Sequence, residues 1–175
     1  MTNFAFGQPD GGIAQMAYKV DDLEAAMAEY GARLGVGPWF VLGPFVPPVA
    51  LYRGEPCLFE ITIAFAYYGT VQIELLQQHN DAPSTLRDAP IGFHHWGIGV
   101  RDFDAALAKH TALTGAPVFT DQVPDGGRFA YFEGGAVLPG YIELIEVHQA
   151  REDMFAMIQR ASVSWDGADP VRRIG

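Results

Sequence analysis

Glu74 and Glu143 occupy the same place in two nearly repeated stretches, QIELLQQH at 72–79 and YIELIEVH at 141–148. Both stretches alternate apolar and polar residues, which predicts two strands with the carboxylates on corresponding faces. A carboxylate in such a strand is either solvated on an open face or held inside by a partner. Two earlier stretches of strand character offer partners: IAQMAYKV carries Gln15 and FHHWGIGV carries His95. One imidazole, two carboxylates and an amide oxygen suit a divalent first-row metal with water in the open positions. A carboxylate at the edge of such a site can also take up and return a proton.

A duplication would bring these residues together. Ile13–Tyr30 lies on Phe93–His110 without a gap, matching Val20 with Val100, Asp22 with Asp102, and Ala25, Ala26 and Ala28 with Ala105, Ala106 and Ala108. In that register Gln15 stands opposite His95, 80 residues later, whereas the Glu strands align 69 residues apart, so the loops between differ in length. Each half reads β-α-β-β-β, a whole-fold signal. A pseudo-twofold axis would then converge Gln15, Glu74, His95 and Glu143 on one cleft. The fold class expected is α+β, two tandem βαβββ modules forming an open, mostly antiparallel, barrel-like sheet around that cleft. The modules are placed at 13–79 and 93–149, with a linker at 80–92 and a C-terminal helix and tail at 150–175.

Local signals fill in the elements. Asp21 or Asp22 caps a helix with Leu23, Met27 and Tyr30 on one face, and Asp102 opens its counterpart. Trp39–Phe45 reads as a strand that Gly43-Pro44 confines to an edge or an end, and 49–56 as a loop. A hairpin turns at Gly69. Pro124-Asp125-Gly126 separates two further strands, a last helix spans roughly 151–161, and the tail after it is irregular.

Composition limits the function classes. The chain has 175 residues and a net charge of −10, from 21 acidic against 11 basic residues, which disfavours nucleic acid and anionic membranes as partners. The single cysteine, Cys57, excludes an intrachain disulfide and a thiolate metal cluster and is expected to pack as a small apolar residue. No basic, apolar leader and no run of about 20 apolar residues is present, so a cytoplasmic protein is expected. Among the aromatic residues, Trp39, Phe40, Phe65, Tyr67, Trp96, Phe129 and Tyr131 line a pocket or fill the core.

At these residues the chain resembles the vicinal oxygen chelate superfamily, also called the glyoxalase/bleomycin-resistance/dioxygenase fold. The cues are the strand followed by an Asp-Leu-Glu or Asp-Phe-Asp helix, HHWGIGVRDF opening the second half, and IELL and IELIE closing the halves. The resemblance covers nearly everything from Ile13 to His148. It implies one divalent metal (Zn, Ni, Co, Mn or Fe) held by Gln15, Glu74, His95 and Glu143, a set similar to that of glyoxalase I and close to that of methylmalonyl-CoA epimerase. The implied chemistry is proton transfer next to a metal-bound carbonyl, as a lyase or an epimerase/isomerase, with Glu143 as first choice of base and Glu74 as second base or partner. It further implies a small carbonyl, thioester or apolar substrate and a homodimer.

Two rivals stand beside that reading. A non-catalytic binder of the bleomycin-resistance type would hold an apolar compound in the same cleft. An Fe(II) ring-cleaving dioxygenase is disfavoured because Gln15 replaces one of the two histidines used there. Strand alternation puts His94 on the opposite face from His95 and makes it a surface or interface residue. His79 and His148 read as strand-end residues, and His110 as a partner of the helix dipole.

Overall fold

The computed structural model describes residues 2–123 and 126–174. The turn expected at Pro124-Asp125 lies outside them. The first half runs β1 (Ile13–Lys19), α1 (Leu23–Leu34), β2 (Trp39–Phe45), β3 (Leu51–Tyr52), β4 (Glu55–Pro56), β5 (Ile61–Tyr68) and β6 (Val71–Gln78). The second runs β7 (Gly92–Val100), α2 (Phe103–Thr114), β8 (Phe119–Gln122), β9 (Arg128–Gly135) and β10 (Leu138–Glu146), followed by α3 (Gln149–Ser162) and β11 (Val171–Arg173).

These strands form one mostly antiparallel sheet in the order β11-β2-β5-β6-β1-β7-β10-β9-β8-β3-β4. The halves meet where β1 runs antiparallel to β7, and each of these is flanked by its own module's Glu strand, β6 or β10, in parallel. The two halves therefore close on each other within one chain.

Both helices begin at the expected acids. Asp22 accepts from the backbone N–H of Ala25 at 2.9 Å and Asp102 from that of Ala105 at 3.0 Å, caps worth about 1 kcal/mol each. Leu23 and Met27 of α1 pack on Ile73 and Leu75 of β6, and Phe103 of α2 packs with Leu144 of β10. Period-two alternation then sends Gln72, Glu74, Glu143 and Ile145 to the opposite face of the sheet, where the cleft lies.

Two expectations change here and a third is narrowed. Residues 49–56 are not a plain loop: β3 and β4 form a small hairpin, and β3 pairs with β8, tying the first half to the far edge of the second. The tail is not wholly irregular, since β11 adds to β2 in parallel. That addition covers β2, so of the two alternatives the prolines mark the strand's end and not a free edge; Gly43-Pro44 fall in a break of the β2–β5 register. Among the described residues no helix is long and apolar enough to cross a membrane.

Candidate active site

Two cross-strand rows build the site. One runs Gln72–Gln15–Gly97–Glu143–Tyr131 across β6, β1, β7, β10 and β9. The other runs Phe65–Glu74–Ala17–His95–Tyr141 across β5, β6, β1, β7 and β10. In each row a small residue sits between two donor residues, and the duplication makes these small residues, Ala17 and Gly97, equivalent. Gly97 has no room for more: a Cβ there would stand 2.7 Å from Gln15 Oε1 and 2.9 Å from Ile145 Cδ1. Small side chains in the middle of the sheet open the space into which the donors lean.

All four predicted donors come together there and are buried. His95 Nε2 lies 3.0 Å from Glu143 Oε2, 3.4 Å from Glu74 Oε2 and 3.3 Å from Gln15 Oε1. Gln15 is turned by Gln72: its Nε2 donates to Gln72 Oε1 at 2.7 Å, which leaves Oε1 facing His95.

His95 is turned by His94. The two Nδ1 atoms share a hydrogen bond of 2.8 Å, and His94 Nε2 lies 3.2 Å from the carbonyl oxygen of Thr85. A carbonyl only accepts, so His94 Nε2 donates to it. Burial and the neighbouring His95 push the His94 pKa down to about 3, so its ring is neutral and its Nδ1 is an acceptor. The hydrogen-bond chain thereby places a proton on His95 Nδ1 and turns Nε2 toward the two carboxylates and the Gln15 amide oxygen. Two carboxylate oxygens, an amide oxygen and an imidazole nitrogen face one another in a buried cleft, and all four are atom types that ligate a divalent cation.

Among the described residues no three His, Cys, Asp or Glu side chains already enclose a common position. The donors lie against one another.

The two carboxylates differ. Glu74 Oε2 is buried with no hydrogen bond, and burial followed by the nearby Glu143 raises the Glu74 pKa well above the ordinary carboxylate range. Glu143 receives the hydroxyl of Tyr131, whose own pKa is raised by burial and by both glutamates. Beyond the donors the cleft continues into a cavity of about 460 Å³ whose lining includes Phe65, Phe129 and Tyr131. Trp39 and Tyr67, also possible pocket residues by sequence, are fully buried; Trp39 Nε1 donates to the carbonyl of Met27.

His94 is the correction of most consequence. It is not on the surface but 1% exposed and against His95. The β1–β7 register jumps from Ala17↔His95 to Tyr18↔Phe93, so His94 is the unpaired residue of a bulge, and the bulge re-aims its side chain. Thr85, Gln72 and Gly97 also escaped the sequence reading. Gln72 carried a usable signal, since it lies two residues before Glu74 and so on the same face. His79 bonds Thr62 Oγ1 at 2.7 Å, His148 caps α3, and His110 packs tilted against Phe132. Cys57 is buried with Sγ on the Pro83 carbonyl, and burial pushes its thiol pKa up.

Comparison with known proteins gives the chain its relatives. A sequence search of curated proteins finds no match. By structure, the chain is similar to a hypothetical protein of Bacillus halodurans at 19% identity, with 78% of this chain and 94% of that chain covered and a TM-score of 0.55. It is similar to methylmalonyl-CoA epimerase of Mycobacterium tuberculosis at 18% identity, covering 78% and 87% with a TM-score of 0.55. A variant of the Streptomyces coelicolor epimerase, in complex with 2-nitronate-propionyl-CoA, gives 18% identity, 78% and 97% coverage and a TM-score of 0.57. At these identities the likeness is one of fold. Residues 14–132 match the family model, and the chain belongs to the glyoxalase/bleomycin resistance protein/dioxygenase superfamily.

Proposed function

We propose that the protein is a metal-dependent lyase or epimerase/isomerase that moves a proton at the carbon beside a substrate carbonyl. The observation that carries this reading is the convergence of Gln15, Glu74, His95 and Glu143, fixed from behind by Gln72 and by the His94–Thr85 chain. Gln15, Glu74, His95 and Glu143 are the residues that would hold the metal. Bound there, a divalent ion supplies Lewis-acid stabilisation of negative charge on a carbonyl oxygen.

The protein's own part is the proton. Glu143 is the base, and it accepts the hydroxyl of Tyr131. Glu74, pushed toward its protonated form by burial and by Glu143, is the group able to give a proton back. Return from Glu74 to the opposite side of the same carbon gives epimerisation. Return by Glu143 to the neighbouring carbon gives the glyoxalase-like outcome. The apolar cavity favours a second reading, a binder that holds an apolar compound without turnover.

Elemental analysis of the purified protein, His95→Ala and Glu143→Gln separates the two. About one divalent ion per chain, weakened in both variants, is expected. No uptake of Zn, Ni, Co, Mn or Fe(II) by the wild type would sink the metal-dependent reading and leave the binder.

A further inference from the structure

The donors occupy a small part of the cleft. The remaining walls come from both halves and from α3: Leu42, Ile63, Phe65, Phe129, Ile145 and Phe155 line the cavity of about 460 Å³ and belong to one packed cluster. A cavity of this size buries most of a drug-sized molecule. A two- or three-carbon acyl group would meet the donors and leave most of this apolar surface unfilled. Binding energy from the part of a substrate remote from the reaction would then be forgone.

The third wall, α3, lies beyond the residues matched by the family model. It is fastened in place. Glu152 in its first turn accepts from Arg101 Nη1 at 2.8 Å, from Arg101 Nη2 at 3.1 Å and from the Ala5 backbone N–H at 2.8 Å. Phe155 contributes an aromatic ring from α3 that faces Phe65 across 6.3 Å. Phe129 completes an aromatic lining that suits the face or edge of a ring better than a flexible chain.

Charge argues the same way. Among the described residues the only cation lining the cavity is Arg151, which is 4% exposed and stacked on Phe129 at 4.4 Å. A polyphosphate-bearing carrier would approach a protein of net charge −10.

We propose that the substrate is a compact, largely apolar, ring-bearing carbonyl compound bound whole between the sheet and α3, and not the thioester of a large anionic carrier. This rests on the proton-transfer reading for its carbonyl and on the cavity for its body.

The test uses the full chain with two probes, the bicyclic ketone β-tetralone and propionyl-CoA. Calorimetry reads affinity, and proton NMR in heavy water reads exchange of the protons beside each carbonyl. The expected result is at least tenfold tighter binding of β-tetralone, weakened at least tenfold by the cavity-filling substitution Ile63→Trp with the circular dichroism unchanged. Leu42→Phe, a milder filling, serves if Ile63→Trp does not fold. Tighter binding of propionyl-CoA, or β-tetralone affinity indifferent to a folded filling variant, overturns the proposal. The two readings fail separately. Cavity-dependent binding of β-tetralone without metal-dependent exchange supports the substrate class and sinks proton transfer. Exchange of propionyl-CoA with no binding of β-tetralone does the reverse.

Discussion

The two halves present the same carboxylate in the same strand, and the side chains around them make them unequal. Opposite Glu143 on the neighbouring strand stands Tyr131; opposite Glu74 stands Phe65. The hydroxyl that reaches Glu143 has no counterpart in the first half, and Glu74 Oε2 is left without a hydrogen bond. Duplication supplies a symmetric pair of carboxylates, while their surroundings differ: Glu143 accepts a hydroxyl, and burial with the nearby Glu143 raises the Glu74 pKa.

The largest effect is expected from removing the better-held carboxylate. Glu143→Gln should slow exchange of the proton beside the carbonyl by about 10²–10⁴-fold, the usual contribution of a general base. Tyr131→Phe, which makes the halves alike, should slow it by roughly tenfold to a hundredfold, since a hydrogen bond to a charged group is worth about 1.5–3 kcal/mol. An unchanged rate in Tyr131→Phe would mean that the hydroxyl does not distinguish the carboxylates.

A smaller effect separates the two small residues beneath the donors. Gly97→Ala drives a methyl group against Gln15 and Ile145 and should cost about 1–3 kcal/mol in urea denaturation, with weaker metal uptake. Ala17→Gly, its counterpart, should cost only about 0.5–1 kcal/mol of backbone entropy and leave metal uptake intact. Equal metal uptake in both variants would remove Gly97 from the site's design.

The smallest effect contrasts Glu74 with a well-partnered carboxylate, Glu152, in thermal melts of metal-free protein at several pH values. Hydrogen bonds from Arg101 hold the Glu152 pKa below its ordinary value of 4.5. Its stabilisation is therefore present above pH 4.5 and lost as the pH falls through the lowered folded value. Arg101 is 41% exposed, so Arg101→Met should cost at most about 1 kcal/mol at neutral pH and less in acid. Glu74 runs oppositely. Its raised pKa carries no penalty below 4.5 and a growing one as the pH rises above it. Glu74→Gln should raise the melting temperature at neutral pH and leave it unchanged in acid. A parallel response of the two variants to pH would contradict the asymmetry.

Much of the site could be read in the sequence because its signal is local and repeated. Alternation in IELL and IELIE and the ungapped match of the first strands and helices placed Gln15, Glu74, His95 and Glu143 on matching faces. The helix caps Asp22 and Asp102 were equally legible, since a cap is a contact over three residues. What escaped depends on contacts remote in the chain. His94 defied its parity because a bulge, defined only by pairing with β1, removes it from the alternation. The Thr85 carbonyl that orients it comes from the connection between the halves, a stretch whose polar composition carries no such sign.

The sequence by itself therefore determined the duplicated βαβββ order, the helix boundaries and the matching faces that carry Gln15, Glu74, His95 and Glu143, since period and repeat are properties of the chain alone. Tertiary structure decided which donors are partnered, which nitrogen of His95 faces the cleft, and that α3 walls a largely apolar cavity. Each of these is set by registers and packing between segments tens of residues apart, where side-chain type constrains position only weakly.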